Sequence, residues 1–407
     1  MNIINFAEGA MPRKGGIGIV GIPVIMGSTA ATGHRVIVLL AGPPIPGREE
    51  FVCPGAEEAL CRSQGKGTFG MVLSKAFGMW AFAPMLPLKA LPLLWSCDFI
   101  GLHSLYSFPV LMGYLLARLC GKPYGVWLHG VLAPCQRRVS FRKKWLYGKL
   151  FANRILANAA VIFFTAQGER DETRCLNLTA PSVVIPTGFI AEEFADLPAR
   201  GAFRKRYLGG HEGPLVLFLA RLNAKKGIDL LAEAMAIVAA RRPDARLAIV
   251  GPPDPPSYGQ KVRDWVRSNG IEGCTVMTGG IDPATKVEAL ADADVLVMPS
   301  EAENFGFSVF EAMSSRMPVV VSNTLNYAGE IAGSGAGFSV DRRPDAVADA
   351  ILRLVENPVL RQQMGANGLM VASKYSWHKT GEKVDRVIRS IVDKRSLPAD
   401  LVGRPAV

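Results

Sequence analysis

Two carboxylates and two cations have the types and spacing to do chemistry together. Glu303 and Glu311 lie eight residues apart in the stretch Asp294 to Asn323, DVLVMPSEAENFGFSVFEAMSSRMPVVVSN. Val295 to Met298 is a short apolar run closed by Pro299 and Ser300, which predicts a buried parallel strand. The polar residues Glu301 to Asn304 make a loop. A helix is expected from about Phe305 to Ser315, and Val319 to Val321 start the next strand after Pro318. In such β-loop-α-β units ligands sit outside the carboxyl ends of the strands. Glu303 stands at that end, and Glu311 about two turns into the helix. The amides of Phe305, Gly306, Phe307 and Ser308, preceded by Asn304, offer donors to an anion at the helix N-terminus. Two carboxylates flanking an anion site suit an anionic leaving group joined to a hydroxyl-rich one. The pattern by itself fits a plainer account as well, in which Glu303 offsets the helix dipole and Glu311 is solvated.

The two cations are Arg221 and Lys226. They follow a second apolar strand, Pro214 to Ala220, and precede a helix with apolar residues at Leu230, Leu231, Ala234 and Ile237. Two cations in a strand-to-helix loop can clamp a diphosphate, arginine through its fork and lysine as a point charge. The steps Ala245 to Pro252 and Val276 to Ile281 repeat the strand-loop pattern and put Gly251, Gly279 and Ile281 in loops. Strands alternating with helices over 407 residues predict an α/β chain of two doubly wound domains. Residues 190–213, rich in alanine, glycine and charge, read as the linker region. The expected division is a first domain over 1–195, completed by 375–407, and a second over 196–374.

Composition narrows the class. Hydrophobic residues make up 49% and charged ones 20%, which excludes a disordered chain. The seven cysteines are scattered, with no C-x-x-C spacing, and read as reduced thiols of a cytosolic protein with no metal site. The opening MNIINFAEGAMPRKGG has no apolar core of the kind a signal peptide needs. A net charge of +11 calls for an anionic partner. A nucleoside diphosphate and an anionic membrane surface rank above nucleic acid, for which no binding motif is present.

The string PSEAENFGFSVFEAMSSRMPVVVSN resembles the signature of retaining nucleotide-sugar glycosyltransferases of the GT-B fold, glycosyltransferase family 4. There the strand, the E-x7-E pair, the F-G step and an A-x-G-x-P-V-V tail occur together; here Arg316 stands where that glycine is usual. Ala220 to Gly227 likewise resembles the family's G-R-L-x-x-x-K-G, save for Ala220. The resemblance implies two Rossmann-like domains facing each other across a cleft, the first binding the acceptor and the second the nucleotide-sugar. A C-terminal helix, after Lys374-Tyr375-Ser376-Trp377, would cross back to the first domain. It implies transfer of a sugar, with retention, from a UDP- or GDP-sugar to a hydroxyl. The acceptor would be a glycan or a polyprenyl-linked saccharide of surface polysaccharide synthesis, and no cofactor or metal is expected. Glu303 would meet the donor sugar, Glu311 the ribose, Arg221 and Lys226 the diphosphate, and the loops of Gly251, Gly279 and Ile281 the base.

The first half carries fewer signals. Gly16 to Gly21 is a literal G-x-G-x-x-G, but the strand Arg35 to Leu40 ends without the ribose-binding acid and Pro23 falls in the helix. A nicotinamide-dependent oxidoreductase stays open as an alternative, as does a non-catalytic membrane-bound scaffold that keeps a degenerate transferase fold. The family's own Gly-Gly loop and G-H-x-V strand are similar to Gly15-Gly16 and Gly33-His34-Arg35-Val36, which implies that Gly15 and Gly16 approach the donor diphosphate. Pro123 to Gly130 resembles the K-P-Y strand ending in H-G, which implies that His129 lies beside the donor sugar; His103 is a secondary candidate. Residues 70–97 are apolar but broken by Pro84, Pro87, Lys89 and Pro92, too short a run for a span of about 20 residues. They are expected to be buried or membrane-facing. Arg137 to Lys149 holds six basic residues and no acid, interleaved with Phe141, Trp145, Leu146 and Tyr147. Such a basic aromatic helix suits an anionic membrane surface or a partner groove. The expected location is the cytoplasm, peripheral on the inner face of the membrane.

Overall fold

The computed structural model describes residues 1–8, 22–42, 67–76, 80–132, 141–303 and 305–402. Gly15, Gly16, Asn304 and the start of the basic stretch, 137–140, lie outside them. The chain divides into two compact units, residues 1–190 with 376–407, and residues 191–375.

The first unit is built on seven parallel strands, β1 Asn2–Glu8, β2 Arg35–Gly42, β3 Thr68–Lys75, β4 Phe99–His103, β5 Tyr124–Trp127, β6 Val161–Phe164 and β7 Ser182–Val184. Their order is β3-β2-β1-β4-β5-β6-β7. Strands such as β4, β5 and β6 are fully buried and, apart from His103 at the end of β4, carry no charged or strongly polar side chain, as a parallel sheet covered on both faces requires. One core lies against the helices Leu86–Leu94 and Phe108–Leu119, the other against Ile22–Ala31 and Trp377–Val392. The last of these returns from the end of the second unit. Gly381 permits its approach, because a side chain there would strike the Ser28 carbonyl. Trp377, Val384, Val387 and Ile388 are buried along it, each contributing about 1.5–3 kcal/mol. The apolar residues 70–97 resolve into β3 and the helix Leu86–Leu94, with Pro87 in its first turn and Pro92 inside it. The strand was hidden in sequence because it merges with the apolar segment after it.

The second unit has six parallel strands, β8 Leu215–Leu219, β9 Arg246–Val250, β10 Thr275–Gly279, β11 Val295–Met298, β12 Val319–Ser322 and β13 Gly337–Val340. Their order is β10-β9-β8-β11-β12-β13. The helix after β11 runs from Phe307 to Ser314, two residues shorter at its start than expected. Gly306 sets that boundary with a left-handed φ of +74°. After the same helix, Arg316 adopts φ +56°, where the family resemblance expects glycine. A side chain there costs about 1–2 kcal/mol of backbone strain, and it leaves the carboxylates of the preceding loop and helix untouched.

Candidate functional site

In the second unit the strand order reverses between β8 and β11, so the connections leaving these two neighbours run to opposite sides. The loops at their carboxyl ends part there, which makes the crevice where doubly wound sheets bind ligands. Lys226 is on the β8 loop and Glu303 on the β11 loop. The Glu301 amide donates to the Lys225 carbonyl at 2.7 Å and ties the loops together. Gly227, at φ +66°, sits where a side chain would collide with the Pro299 carbonyl, so glycine is what lets the loops approach. Lys226 Nζ consequently lies 2.5 Å from Glu303 Oε1, the side chains 15% and 10% exposed.

Arg221 leaves the same β8 loop and donates from Nη1 to Asp254 Oδ2 at 2.5 Å. Backbone bonds from Leu222 to the Pro252 carbonyl and from Asp254 to the Leu222 carbonyl hold the β8 and β9 loops side by side. Gly251 lies against the Ala220 carbonyl, 1.9 Å from where a Cβ would stand, so packing alone accounts for that glycine. The Gly251 amide donates to the Gly279 carbonyl at 2.9 Å, and Ile281 follows in the loop before the helix Pro283–Asp292.

Helix Phe307–Ser314 begins with the Phe305 ring stacked on Phe310 at 4.5 Å, a contact between the residues just before the cap and in the first turn. Phe307 and Ser308 take the first two helical positions, whose amides have no intrahelical acceptor. Four residues into the helix, Glu311 accepts from Lys286 Nζ at 2.9 Å, and Lys286 also lies 5.0 Å over the Phe194 ring. Tyr327 Oη is buried beside Gly306, with no hydrogen-bond partner among the described residues. Burial, then the charge of Glu303, pushes its phenol far up, so it stays a protonated donor. The structure thus gathers Arg221, Lys226, Glu303, Phe305, Gly306, Phe307, Ser308 and Glu311 into one unit, with each cation held by a carboxylate. A diphosphate arriving there would exchange places with Glu303 and Asp254 as the partner of Lys226 and Arg221.

The first unit reverses its strand order between β1 and β4. His103 is the last residue of β4, and His129 follows β5 at φ +50°, with Gly130 at +77°. Glu169 braces this turn. Its Oε1 accepts from the Gly130 amide at 2.6 Å, and its Oε2 from the Thr165 amide and hydroxyl, each at 2.7 Å. His103 bridges inward, Nδ1 lying 3.0 Å from His129 Nε2 and Nε2 lying 3.2 Å from Asn5 Oδ1. Burial pushes the His129 imidazole down to about 4. The same cause, with His129 adding to it, takes His103 well below its ordinary value. His129 and Glu303 belong to different units.

Sequence reasoning missed Lys286, Asp254, Tyr327 and Glu169. Lys286 had one signal, a cation in the first turn of a helix, where acids are favoured. Asp254 and Glu169 pair with loops far along the chain, Tyr327 is brought beside Gly306 by the fold, and none of the three carries a local mark.

Two doubly wound α/β units are the architecture of GT-B glycosyltransferases. The sequence model of glycosyl transferases group 1 matches residues 200–370, and that of the glycosyl transferase 4-like domain matches residues 24–188. Between them they take in most of the chain, which belongs to this family of glycosyltransferases. An alpha-D-kanosaminyltransferase of Streptomyces kanamyceticus is 28% identical over 309 residues, 72% of this chain and 76% of its own length. A phosphatidyl-myo-inositol mannosyltransferase of Mycolicibacterium smegmatis is 30% identical over 217 residues, 53% of either chain. Among solved structures, Anabaena HepE in complex with UDP-glucose shares the fold with a TM-score of 0.73 at 18% identity, covering 96% of this chain and 100% of that one. WaaG, a glycosyltransferase involved in lipopolysaccharide biosynthesis, gives 0.64 at 17% identity, covering 95% and 99%. The family match removes the oxidoreductase alternative.

The buried His129 sets a pH dependence. Once unfolded, its ring takes up a proton near the ordinary value of 6.5, but in the folded chain only near 4. Its contribution to stability is therefore full above about 6.5 and is lost as pH falls toward about 4. Urea midpoints should drop across that window, and His129→Gln should flatten the drop. Equal slopes in both proteins would refute a neutral buried ring.

Proposed function

We propose that this chain is a retaining glycosyltransferase. It would move a sugar from a UDP- or GDP-sugar to a hydroxyl of a lipid-linked saccharide during surface polysaccharide assembly. The observation that carries the donor side is the Lys226–Glu303 contact at the β8/β11 switch point, beside the start of helix Phe307–Ser314. Lys226, Arg221 and the first amides of that helix would neutralise the leaving diphosphate, a charge-stabilising role needing no divalent metal. Glu303, released from Lys226, would hold hydroxyls of the donor sugar, Glu311 those of the ribose, and His129 would be a further sugar-binding residue. In the step itself, the anomeric C–O bond breaks and its electron pair leaves on the phosphate oxygen. The acceptor oxygen bonds to the same face of the anomeric carbon, and its proton passes to that phosphate oxygen. UDP bound to HepE supports a nucleotide-sugar donor, and the phosphatidyl-myo-inositol acceptor named for the mycobacterial relative supports a lipid-linked one.

The acceptor side is carried by a surface of the first unit. No helix among the described residues is long and apolar enough to cross a membrane. Trp95 is nevertheless 89% exposed, Leu119 78% and Phe141 62%, with Phe82, Met85, Leu88, Leu91, Leu115, Trp145 and Leu146 also exposed. Trp80 lies 5.9 Å from Tyr147 and 6.0 Å from Phe108, joining the segment before helix Leu86–Leu94 to helices Phe141–Tyr147 and Phe108–Leu119. Lys89, Arg142, Lys143, Lys144 and Lys149 accompany this apolar surface. Large apolar patches mark docking surfaces, and each basic residue near an anionic bilayer adds about 1 kcal/mol. The reading places the enzyme on the cytoplasmic face of the membrane, where lipid-linked acceptors would be met.

Two experiments test these halves separately. Nucleoside diphosphates that bind the folded state raise its melting temperature by mass action. UDP or GDP should do so with and without magnesium, NAD should not, and Lys226→Ala should abolish the shift; a full shift in that variant would overturn the diphosphate assignment. The protein should co-sediment with vesicles containing phosphatidylglycerol but not with pure phosphatidylcholine, and the combined Leu88→Ser and Trp95→Ser changes should weaken this. Equal binding to both vesicles, or to neither, would contradict the membrane surface.

A further inference from the structure

We infer that Lys286 is a specificity-determining residue: with Glu311 it forms a donor–acceptor pair that recognises the vicinal diol of a ribose and so selects ribonucleotides over 2′-deoxyribonucleotides. That the ligand is a nucleoside diphosphate rests on the transferase reading above; that Lys286 and Glu311 form one unit does not.

The two residues reach each other from different steps of the second sheet. Lys286 is the fourth residue of helix Pro283–Asp292, which follows β10, and Glu311 the fifth of helix Phe307–Ser314, which follows β11. β9 and β8 lie between those strands, so the two helices start on either side of the loops that carry Asp254, Arg221 and Lys226. Lys286 Nζ lies 2.9 Å from Glu311 Oε1 and 5.0 Å over the Phe194 ring. The other acids around that lysine are engaged elsewhere. Asp282 caps the helix through the Thr285 amide at 3.0 Å and hydroxyl at 2.7 Å, and Glu288 pairs with Arg206 at 3.1 Å. The side chains of Lys286 and Glu311 are 25% and 13% exposed, drawn out of bulk water yet open to an incoming ligand.

Helix stability does not account for this lysine. The first turn of a helix favours acids, and a cation there opposes the dipole. A partly buried ion pair adds little net stability either. The pair has a clearer use toward a hydroxyl-rich ligand. Lys286 carries three N–H donors, of which Glu311 takes one, and the Glu311 carboxylate keeps lone pairs to spare. Each ribose hydroxyl both donates and accepts. Glu311 accepts the proton of one hydroxyl of the diol, while Lys286 donates to the oxygen of the other. Removing a hydroxyl leaves a charged, partly desolvated group facing a C–H, a larger loss than that of a neutral contact. Lys286 also offsets the Glu311 charge, which otherwise repels the diphosphate of the same ligand.

The test is calorimetric titration of the full chain with UDP, GDP and their 2′-deoxy counterparts. The ribonucleotide that binds should do so about 10- to 100-fold more tightly than its 2′-deoxy form, the worth of one hydrogen bond to a charged group. Lys286→Met, which keeps the apolar stem, should weaken the ribonucleotide about 10-fold and the 2′-deoxy form much less, so that the preference shrinks to about 3-fold or below. The loss in the combined Lys286→Met and Glu311→Gln protein should fall short of the product of the two single losses, because the pair acts as a unit. If Lys286→Met does not fold, Lys286→Ala is read by the same ratio. A lower melting temperature with an unchanged preference would show that Lys286 only ties the two helices together, and would overturn the inference while the nucleotide site stands. Equal affinity of the natural protein for the ribo and 2′-deoxy forms would overturn it in the same way. Failure of every nucleoside diphosphate to bind the natural protein would overturn the transferase reading, and this inference with it.

Discussion

The contact between Lys226 and Glu303 depends on the strand order more than on either residue. Only because β8 and β11 are neighbours with diverging connections do residues 77 positions apart meet at one carboxyl edge. Gly227 and the Glu301–Lys225 backbone bond then bring the loops within reach. A mostly buried ion pair contributes little net stability, because desolvating both charges offsets much of their attraction. Losing one partner is costly, since the other charge is stranded. An anion that replaces Glu303 as the partner of Lys226 keeps the lysine paired but strands the Glu303 carboxylate, which then needs hydroxyl donors to satisfy it.

The two units solve the same geometric problem with different chemistry. Each places its functional side chains where its strand order reverses, β8/β11 in one and β1/β4 in the other. The second unit surrounds its switch point with cations and carboxylates, as an anionic group demands. The first buries neutral imidazoles among aromatic rings, an environment that suits hydroxyl recognition and resists charge.

The α/β class and most strands were legible because parallel strands are short apolar runs that end at proline, glycine or serine. Arg221, Lys226, Glu303 and Glu311 were legible as chemistry because each sits within one strand-loop-helix step, where type and spacing alone mark a loop. The partners of those residues were not. Asp254 approaches Arg221 from the β9 loop and Lys286 approaches Glu311 from helix Pro283–Asp292, while Tyr327, beyond β12, and Glu169, 39 residues after the glycine it holds, were equally hidden. No local pattern records such pairings. β3 escaped for another reason, since its apolar run continues into the segment before helix Leu86–Leu94 without a turn signal. The arginine at 316 was noticed as a departure, and the structure gives its consequence: a left-handed arginine at a helix end, with local strain and no effect on the site.

The most direct test of this account is calorimetric titration of the Glu303→Gln protein with the nucleoside diphosphate that the chain selects. If Lys226 exchanges Glu303 for the diphosphate, removing the competing charge should tighten binding several-fold, by about 1 kcal/mol, while sugar transfer collapses. Binding that is unchanged or weaker than in the natural protein would contradict the exchange and leave the Lys226–Glu303 pair a structural bond.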